Sequence, residues 1–301
     1  MRWVIHIGPQ KTGSKALQQF LLQQPERILS PRVVFPAEGR QGVWHQSLHN
    51  ALLEGDSSAV ATAVEHYREG ADLGIWSYEG LHELPAASVA LFREALGEAQ
   101  VVLFLRRQDE RINSFLNQLV KAHRAPIEWI EAFEASILEY KPAFDYRATI
   151  LSWAASFGMD AITPLIYDKR VGVVEPFCRA TGITLAPASA SSLMANEQPV
   201  NPALDVHGYR VLREMKAQRP SPEQLPDLVT RTLQHLTSSF VDTSLSEGVD
   251  LIGDEDKRAI MALYAESNEW VRSRWYPETK WPEPGSRVER PESDGIDAAG
   301  C

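Results

Sequence analysis

The N-terminal segment constrains the fold more than any other part of the chain. Residues Arg2–Ile7 (RWVIHI) form an apolar run of strand length, and Ser14–Gln24 has the apolar spacing of an amphipathic helix. Between them lies a loop, Gly8–Ser14, that contains two glycines. A strand that enters a helix through such a loop points backbone N–H groups at one centre, and the helix N-terminus adds partial positive charge. The sequence therefore predicts an anion-binding loop, with a simple glycine turn as the alternative.

Strands and helices continue to alternate along the first 183 residues. Further strands are predicted at Arg32–Phe35, Leu73–Ser77, Gln100–Leu105 and Ala161–Tyr167. Helices are predicted at Trp44–Leu53, Ala59–Arg68, Ala87–Leu96, Gln108–His123, Ile127–Tyr140, Tyr146–Phe157 and Val173–Thr181. After residue 183 we expect no strand and three more helices, which are Leu204–Lys216, Pro222–Leu236 and Glu255–Trp275. This order predicts an α/β fold in which helices flank a central parallel sheet and the C-terminal helices pack on it. The same spacing predicts five core tryptophans, which are Trp76, Trp129, Trp153, Trp270 and Trp275.

Length and composition limit the class of protein. The chain has 301 residues and a formal net charge of −10, which argues against a general nucleic-acid-binding protein. Residues 1–281 are predicted to form one domain, and residues 282–301, which are rich in Pro, Gly, Ser and charge, a disordered tail. No apolar run has the length of a membrane span and the N-terminus lacks a signal-peptide pattern, so a cytoplasmic location is expected. Cys178 and Cys301 predict neither a disulfide framework nor a cysteine metal site.

The glycine loop departs from the nucleotide-binding pattern G-x-x-x-x-G-K-[ST] at the position of the lysine. Gly8 and Gly13 have the expected spacing, but Ser14 occupies the lysine position and Lys11 lies inside the loop. Lys15 follows one position late, and no Ser or Thr comes directly after it. In nucleoside triphosphatases that hydroxyl holds Mg²⁺. The loop can therefore hold a phosphate and place an ammonium group on it without the usual metal ligand.

A second basic segment follows the apolar run QVVLFL. Arg106 and Arg107 stand at the carboxyl end of this predicted strand, where open α/β sheets bind ligands, and Ser114 lies about two helical turns further on. Arg106 and Ser114 could converge on one anion if the first of those turns is not helical. The alternative is a solvated helix start, in which Arg107, Asp109 and Arg111 pair locally.

Together, the two segments resemble the sulfotransferases that use 3′-phosphoadenosine 5′-phosphosulfate (PAPS). Lys11–Ser14 (KTGS) is similar to the 5′-phosphosulfate loop of that family, and Arg106 with Ser114 has the spacing of its 3′-phosphate site. Leu165–Lys169 (LIYDK) is similar to a further family segment near the nucleotide, and Asp145–Gly182 follows the pattern of bacterial members. The resemblance covers about residues 2–183, with a weaker helical match to about residue 281. It implies a P-loop-type three-layer fold and sulfuryl transfer to an acceptor.

The resemblance also implies roles for the residues of both segments. Lys11 would stabilise the departing phosphate oxygen in place of a metal ion, so no metal is required. The phosphosulfate would be bound by the loop residues Gly8, Lys11, Thr12, Gly13, Ser14 and Lys15. Lys15 departs from the family's usual Ser or Thr and could either add charge to the sulfonate or point to solvent. Arg106 and Ser114 would bind the 3′-phosphate, and Tyr167 is the candidate for stacking on the adenine. The implied product is 3′,5′-adenosine bisphosphate.

The acceptor must lose a proton as it attacks, and a carboxylate or a histidine can accept it. Glu79 is the first candidate, because it follows the predicted strand Leu73–Ser77 at the same sheet edge as the loop, in a Ser-x-Glu segment similar to one in bacterial members. The alternative for Glu79 is a helix cap or a surface position. His49 is the second candidate, with His45 one turn away on the same helix face, and no third ligand accompanies them to form a metal site. His6, inside the first strand, is predicted to be a core residue.

The sequence leaves three hypotheses for the function. The first is a PAPS-dependent sulfotransferase that acts on a hydroxyl or amine of a small-molecule, lipid or glycan acceptor. The second is a P-loop kinase for a small molecule, which would need Mg²⁺ and ATP and which the order Ser14-Lys15 disfavours. The third is a non-catalytic nucleotide-binding protein on a degenerate sulfotransferase fold. The sequence identifies neither the acceptor nor the oligomeric state.

Overall fold

The centre of the fold is a five-stranded parallel sheet. The computed structural model describes residues 1–23, 25–186, 204, 206–239 and 250–283. The strands in these ranges are β1 (Arg2–His6), β2 (Ile28–Ser30), β3 (Val33–Val34), β4 (Leu73–Ser77), β5 (Gln100–Leu105), β6 (Ile162–Ile166) and β7 (Thr184–Leu185). Five of them form the central sheet in the order β3-β4-β1-β5-β6, and every pair in it is parallel. The predicted α/β fold is confirmed.

Two short strands form a separate sheet that the sequence did not predict. β2 pairs antiparallel with β7, and Ala186 N–H extends the pairing by donating to the carbonyl of Arg27 at 3.1 Å. The expectation that strands end at residue 183 is therefore wrong. These strands have only two or three residues and are largely exposed, so they carry no apolar period that a sequence pattern could show.

The helices agree with the predicted positions, apart from some ends. They are α1 (Ser14–Gln23), α2 (Gln46–Leu53), α3 (Ser58–Tyr67), α4 (Ala86–Leu96), α5 (Gln108–Lys121), α6 (Ile127–Ala135), α7 (Tyr146–Phe157), α8 (Val174–Thr181), α9 (Val206–Ala217), α10 (Leu225–Ser239), α11 (Asp254–Leu263) and α12 (Ala265–Trp275). The single helix predicted over Glu255–Trp275 is two helices that meet at Tyr264. The buried Tyr264 accepts a hydrogen bond from Lys141 N–H at 3.0 Å, so a tertiary contact fixes the break.

The sheet lies between two apolar cores, which makes three layers. On β1, Trp3 and Ile5 face a core that α2, α3, α4, α7 and α12 complete, whereas Val4 faces a core completed by α1 and α8. This alternation follows from the two-residue period of a strand. Trp76 and Trp153 are fully buried in the first core, as predicted.

The prediction that Trp129 lies in the core is wrong. Its side chain is 61% exposed, because α6 buries Ile127 and Ile130 and these two residues define the opposite face of that helix. Trp270 and Trp275 are partly buried against the first core.

The C-terminal helices pack on different parts of the α/β core. Val271 of α12 joins the first core, whereas α9 and α10 pack on α5 and α6 in a cluster of their own. Trp281 is buried, and the predicted disordered tail lies outside the described residues from position 284 onward. The assignment of residues 1–281 to one domain stays a prediction. Cys178 is a buried free thiol, and Cys301 lies outside the described residues.

Among the helices described, none combines the length and the apolar character needed to cross a membrane.

Candidate functional site

The carboxyl ends of three neighbouring strands bring the predicted segments to one edge of the sheet. The glycine loop follows β1, Glu79 follows β4 and Arg106 follows β5, and β1 lies between the other two strands. In register, His6 of β1 is opposite Ser77 of β4 and Val102 of β5. Open α/β sheets bind ligands outside the carboxyl ends of strands where the strand order reverses, as it does at β1. This edge is the candidate functional site.

The glycine loop closes tightly on its neighbours. Gly8 has φ +92° and Gly13 has φ +81°, both in the left-handed region that favours glycine. A Cβ atom on Gly8 would lie 2.8 Å from Glu79 Cα, and one on Gly13 would lie 2.8 Å from Val173 Cγ1. The carbonyl of Gly8 accepts a hydrogen bond from Phe104 N–H at 2.8 Å. The loop therefore needs glycine at both positions, and its role as an anion-binding loop stays a prediction.

Lys11 occupies a costly backbone conformation beside two other charges. Its φ is 69°, and non-glycine residues with such values concentrate at ligand sites. The pKa of its ammonium is lowered to about 8, chiefly by burial and then by the Arg106 charge, against the opposing charge of Glu79. Two neighbouring cations repel each other, and a bound anion would relieve that repulsion. Lys11 is therefore well placed to hold an anion.

Arg106 and Tyr167 contact the same loop. Arg106 Nη1 donates to the carbonyl of Lys11 at 2.8 Å, and its guanidinium carbon lies 5.2 Å from the centre of the Tyr167 ring. Tyr167 Cε2 would be 3.4 Å from a Cβ atom on Gly13. Two residues predicted from distant segments thus lie together at the glycine loop, with Tyr167 beside the loop backbone.

The hydroxyl groups of the loop are buried, and the second lysine is not. Thr12 Oγ1 donates to the carbonyl of Pro9 at 2.6 Å. Ser14 Oγ is buried and has no hydrogen-bond partner in the part of the chain that the structure describes. Lys15 is exposed on the first turn of α1, as expected of a side chain that points to solvent.

The second basic segment is divided between the loop and the protein interior. Arg106 precedes α5 and turns to the loop, whereas Ser114 lies in the second turn of that helix. No hydrogen bond joins these two side chains in the described ranges, so their convergence on one anion stays a prediction. Arg107 pairs with Asp109 at 2.7 Å and donates to the carbonyl of Pro282. Arg106 also pairs locally, because its Nε donates to Glu110 Oε2 at 3.1 Å.

Glu79 lies beside the loop and is held by α1. Gln18 Nε2 donates to Glu79 Oε2 and to Ser77 Oγ, both at 3.2 Å. Ser77 Oγ in turn lies 2.8 Å from His6 Nδ1. Burial lowers the pKa of His6 to about 3, so this histidine is neutral. His6 is a core residue, as predicted, but it is hydrogen-bonded through Ser77 and Gln18 to the candidate base.

The two candidate histidines have different surroundings. His45 precedes α2 and is fully buried, where its Nδ1 accepts from Ser77 N–H at 3.1 Å and its Nε2 donates to the carbonyl of Pro36 at 3.0 Å. Burial lowers its pKa to about 4. Backbone groups therefore use both ring nitrogens of His45, which supports a structural role for this histidine over one on the substrate. The half-buried His49 packs edge-on against Tyr78, with ring centroids 5.3 Å apart, and stays a candidate.

Three further residues near the site escaped prediction, namely His82, Lys121 and Arg111. His82 is buried, and its Nδ1 donates to the carbonyl of Glu79 at 2.6 Å. Burial and then the Arg111 charge lower its pKa to about 3. Burial and then the Lys11 charge lower the pKa of Lys121 to about 8. Lys121 is therefore a third cation near the loop, after Lys11 and Arg106.

Arg111 lies on a polar face of α5 that the sequence could have indicated. It is only 2% exposed and donates to the carbonyls of Gln10 and Ala143 at 3.3 Å, so it does not join the local pairing expected for it. On a helix, positions 111, 114 and 121 fall on one face, and that face carries Arg111, Ser114 and Lys121. Polar side chains on one face of a helix after a strand-end arginine are the pattern that could have indicated them.

No protein-family model matches the chain, and no curated protein matches it. Among solved structures, a sulfotransferase from Alicyclobacillus acidocaldarius is similar, with 17% identity and a TM-score of 0.38 over 70% of this chain and 99% of that chain. A similarity of this size carries no argument about function. Within the described residues, no group of three or more His, Cys, Asp or Glu side chains could hold a metal ion.

Proposed function

We propose that the protein is a sulfotransferase that moves the sulfuryl group of PAPS to a hydroxyl or amine of a small-molecule, lipid or glycan acceptor. One observation carries the proposal: the Lys11 ammonium, the Arg106 guanidinium and the glycine loop meet at one sheet edge, with Glu79 against Gly8. Two cations and a row of backbone N–H groups suit a polyanionic donor. A carboxylate on the other side of Lys11 suits an acceptor that must lose a proton.

The side chains at this edge fit a phosphosulfate group. Ser14 Oγ is a buried hydroxyl without a partner in the described chain, and a sulfonate or phosphate oxygen would give it one. The position that supplies the Mg²⁺ ligand in nucleoside triphosphatases is held by the exposed Lys15. This donor set supports metal-independent sulfuryl transfer better than it supports a kinase reaction.

The proposed mechanism is in-line displacement at sulfur. PAPS supplies an activated sulfuryl group and, on loss of the bond between sulfur and the bridging oxygen, the bisphosphate leaving group. Lys11 Nζ donates to that bridging oxygen as its negative charge develops, which is how a positioned cation lowers the barrier. Glu79 accepts the proton of the attacking hydroxyl or amine, with His49 as the second candidate. Positioning and charge stabilisation then account for most of the rate.

The other binding roles complete the proposal. The backbone and hydroxyl groups of the loop hold the phosphosulfate, Arg106 and Ser114 hold the 3′-phosphate, and Tyr167 contacts the nucleotide. The loop residues with this role are Gly8, Lys11, Thr12, Gly13 and Ser14, whereas Lys15 was the sixth candidate and its side chain is exposed.

The wild-type protein is expected to bind 3′,5′-adenosine bisphosphate, and Arg106→Ala to bind it about 10- to 100-fold more weakly, because a hydrogen-bonded charge is lost. Isothermal titration calorimetry measures both. Arg68→Ala is the matched control, since Arg68 is the exposed C-cap of α3 and pairs with Glu65 of that helix. No heat with the wild-type protein, or equal affinity of Arg106→Ala, would refute the proposal. Bisphosphate binding without turnover on a broad acceptor panel would instead favour a non-catalytic protein, and turnover that requires Mg²⁺ and ATP would favour a kinase.

Bisphosphate binding should take up protons near pH 8 and weaken as the pH rises above 8. The pKa of Lys11 is about 8 in the free protein, so this group is half protonated there, and a bound anion raises its pKa. The bound state then holds more protons than the free state, and affinity falls with rising pH. Lys121, whose pKa is also lowered to about 8, contributes with the same sign.

The measurement is calorimetry at pH 8 in buffers of different ionisation enthalpy. Lys11→Arg keeps the charge but does not titrate in this range, so its proton uptake should be smaller than that of the wild-type protein. Proton release on binding, or equal uptake in both proteins, would contradict the assignment of Lys11 to the anion site.

A further inference from the structure

We infer that Gln18 is a positioning residue that holds the Glu79 carboxylate beside the glycine loop, with Ser77 and His6 supporting it from below. The inference rests on the proposed function, in which Glu79 accepts the acceptor proton. It adds three residues from two strands and a helix to the site, and none of them belongs to the anion-binding loop.

The geometry forms a continuous chain of hydrogen bonds from the sheet to the carboxylate. His6 Nδ1 lies 2.8 Å from Ser77 Oγ, and Gln18 Nε2 lies 3.2 Å from Ser77 Oγ and 3.2 Å from Glu79 Oε2. The register explains the first contact, because His6 and Ser77 are paired on the adjacent strands β1 and β4. The contacts of Gln18 arise because it lies one turn after Ser14 on α1. The same face of the helix therefore carries both Ser14, at the end of the loop, and the Gln18 amide.

The orientation of the Gln18 amide follows from its partners. An ionised carboxylate only accepts hydrogen bonds, so the NH₂ group of Gln18 faces Glu79, and its two hydrogens serve Glu79 Oε2 and Ser77 Oγ. Among the described residues, this is the side-chain hydrogen bond that reaches the Glu79 carboxylate. It occupies Oε2, and Oε1 is then the oxygen that takes the acceptor proton.

Burial argues that the arrangement serves more than stability. Gln18, Ser77 and His6 are all completely buried, and polar groups at such positions are costly unless every atom is hydrogen-bonded. Here Gln18 Oε1 and His6 Nε2 are buried without a hydrogen-bond partner in the described part of the chain. An apolar residue at position 18 would avoid that cost, as Leu17 and Leu21 do on the same helix. The amide is therefore better explained by what it does to Glu79.

Other groups also act on Glu79 and set the background for a test. Lys11 faces it from the loop, and Tyr78 precedes it in the chain, each close enough for an electrostatic interaction. His82 donates to its backbone carbonyl and is neutral. Gln18 differs from all three because it bonds to the carboxylate itself. Its removal should disfavour the ionised carboxylate, since a hydrogen bond to the charged form stabilises that form.

The test compares Gln18→Met, which keeps the length of the side chain and removes the donor, with the wild-type protein. Crystal structures with 3′,5′-adenosine bisphosphate should show the Glu79 carboxylate displaced from its wild-type position in the variant, with the loop unchanged. In turnover, kcat should fall about tenfold with the KM for PAPS unchanged, and the acid limb of the kcat profile should move up by about one pH unit. Gln23→Met is the matched control, because Gln23 is exposed at the end of the same helix.

The outcomes separate this inference from the proposed function. Suppose first that the wild-type protein binds the bisphosphate. If Glu79 then keeps its position in Gln18→Met, and the acid limb of the kcat profile keeps its midpoint, the inference is overturned and the proposed function stands. If the wild-type protein binds no bisphosphate, the proposed function fails, and the position of Glu79 in crystals of the unliganded variant still decides whether Gln18 holds it. Ser77→Ala is the second variant should Gln18→Met not fold, and it should displace Glu79 in the same direction by a smaller amount. An unmoved carboxylate in Ser77→Ala would then overturn the inference.

Discussion

Replacing Lys11 by alanine is expected to lower the rate of sulfuryl transfer by about two to three orders of magnitude, the usual cost of losing one positioned charge that stabilises a leaving oxygen. Its ammonium is close enough to both Arg106 and Glu79 for an electrostatic interaction with each. Affinity for PAPS should fall less than kcat, because the charge on the leaving oxygen develops fully only during the reaction. The comparison requires kcat at saturating acceptor together with calorimetric binding.

Two further variants test whether the effect is specific to the Lys11 ammonium. Lys280→Ala removes an exposed lysine far along the chain and should leave kcat unchanged. Lys11→Arg keeps the charge but replaces a compact ammonium with a planar fork, so we expect partial activity. A Lys11→Ala protein that retains a third or more of the wild-type kcat would remove Lys11 from the mechanism, whatever the affinity for the bisphosphate.

The parts of the site that the sequence predicted are those that depend on local structure. The glycine loop and Arg106 each follow directly after a buried apolar strand, and the carboxyl ends of parallel strands meet at one edge of the sheet. Glu79 was found for the same reason. Local spacing is enough in these cases, because the strand fixes where the next few residues lie.

The residues that escaped prediction depend on contacts between distant segments. Gln18 and Glu79 are 61 positions apart, and nothing in the spacing around Gln18 indicates that its amide reaches a carboxylate just after the end of β4. The surroundings of His45 also depend on a distant contact, because its Nδ1 accepts from Ser77 N–H, which lies 32 residues later. Helical spacing placed His45 and His49 one turn apart, and it could not show that His45 is fully buried.

Replacing Gly8 by alanine is expected to lower the free energy of unfolding by more than the same replacement at a glycine with open space around it. The left-handed conformation, with φ +92°, costs an alanine about 1–2 kcal/mol. The new methyl group would also lie 2.8 Å from Glu79 Cα and 3.1 Å from its carbonyl oxygen, which are backbone atoms that cannot turn away. Such overpacking adds about 1–3 kcal/mol. The loop could relieve this close contact by moving away from β4, and that movement would also separate Lys11 from Glu79.

Gly55→Ala isolates the steric part of this effect. Gly55 has φ +81°, close to that of Gly8, but a Cβ atom there would meet no atom within 4 Å. Urea unfolding of both variants should therefore show a loss for Gly55→Ala that reflects backbone conformation alone, and a clearly larger loss for Gly8→Ala. Bisphosphate affinity should fall in Gly8→Ala and stay at the wild-type value in Gly55→Ala. Equal destabilisation in the two variants would mean that the loop can move away from Glu79 at little cost, and the close contact between donor loop and base would not be a fixed feature of the site.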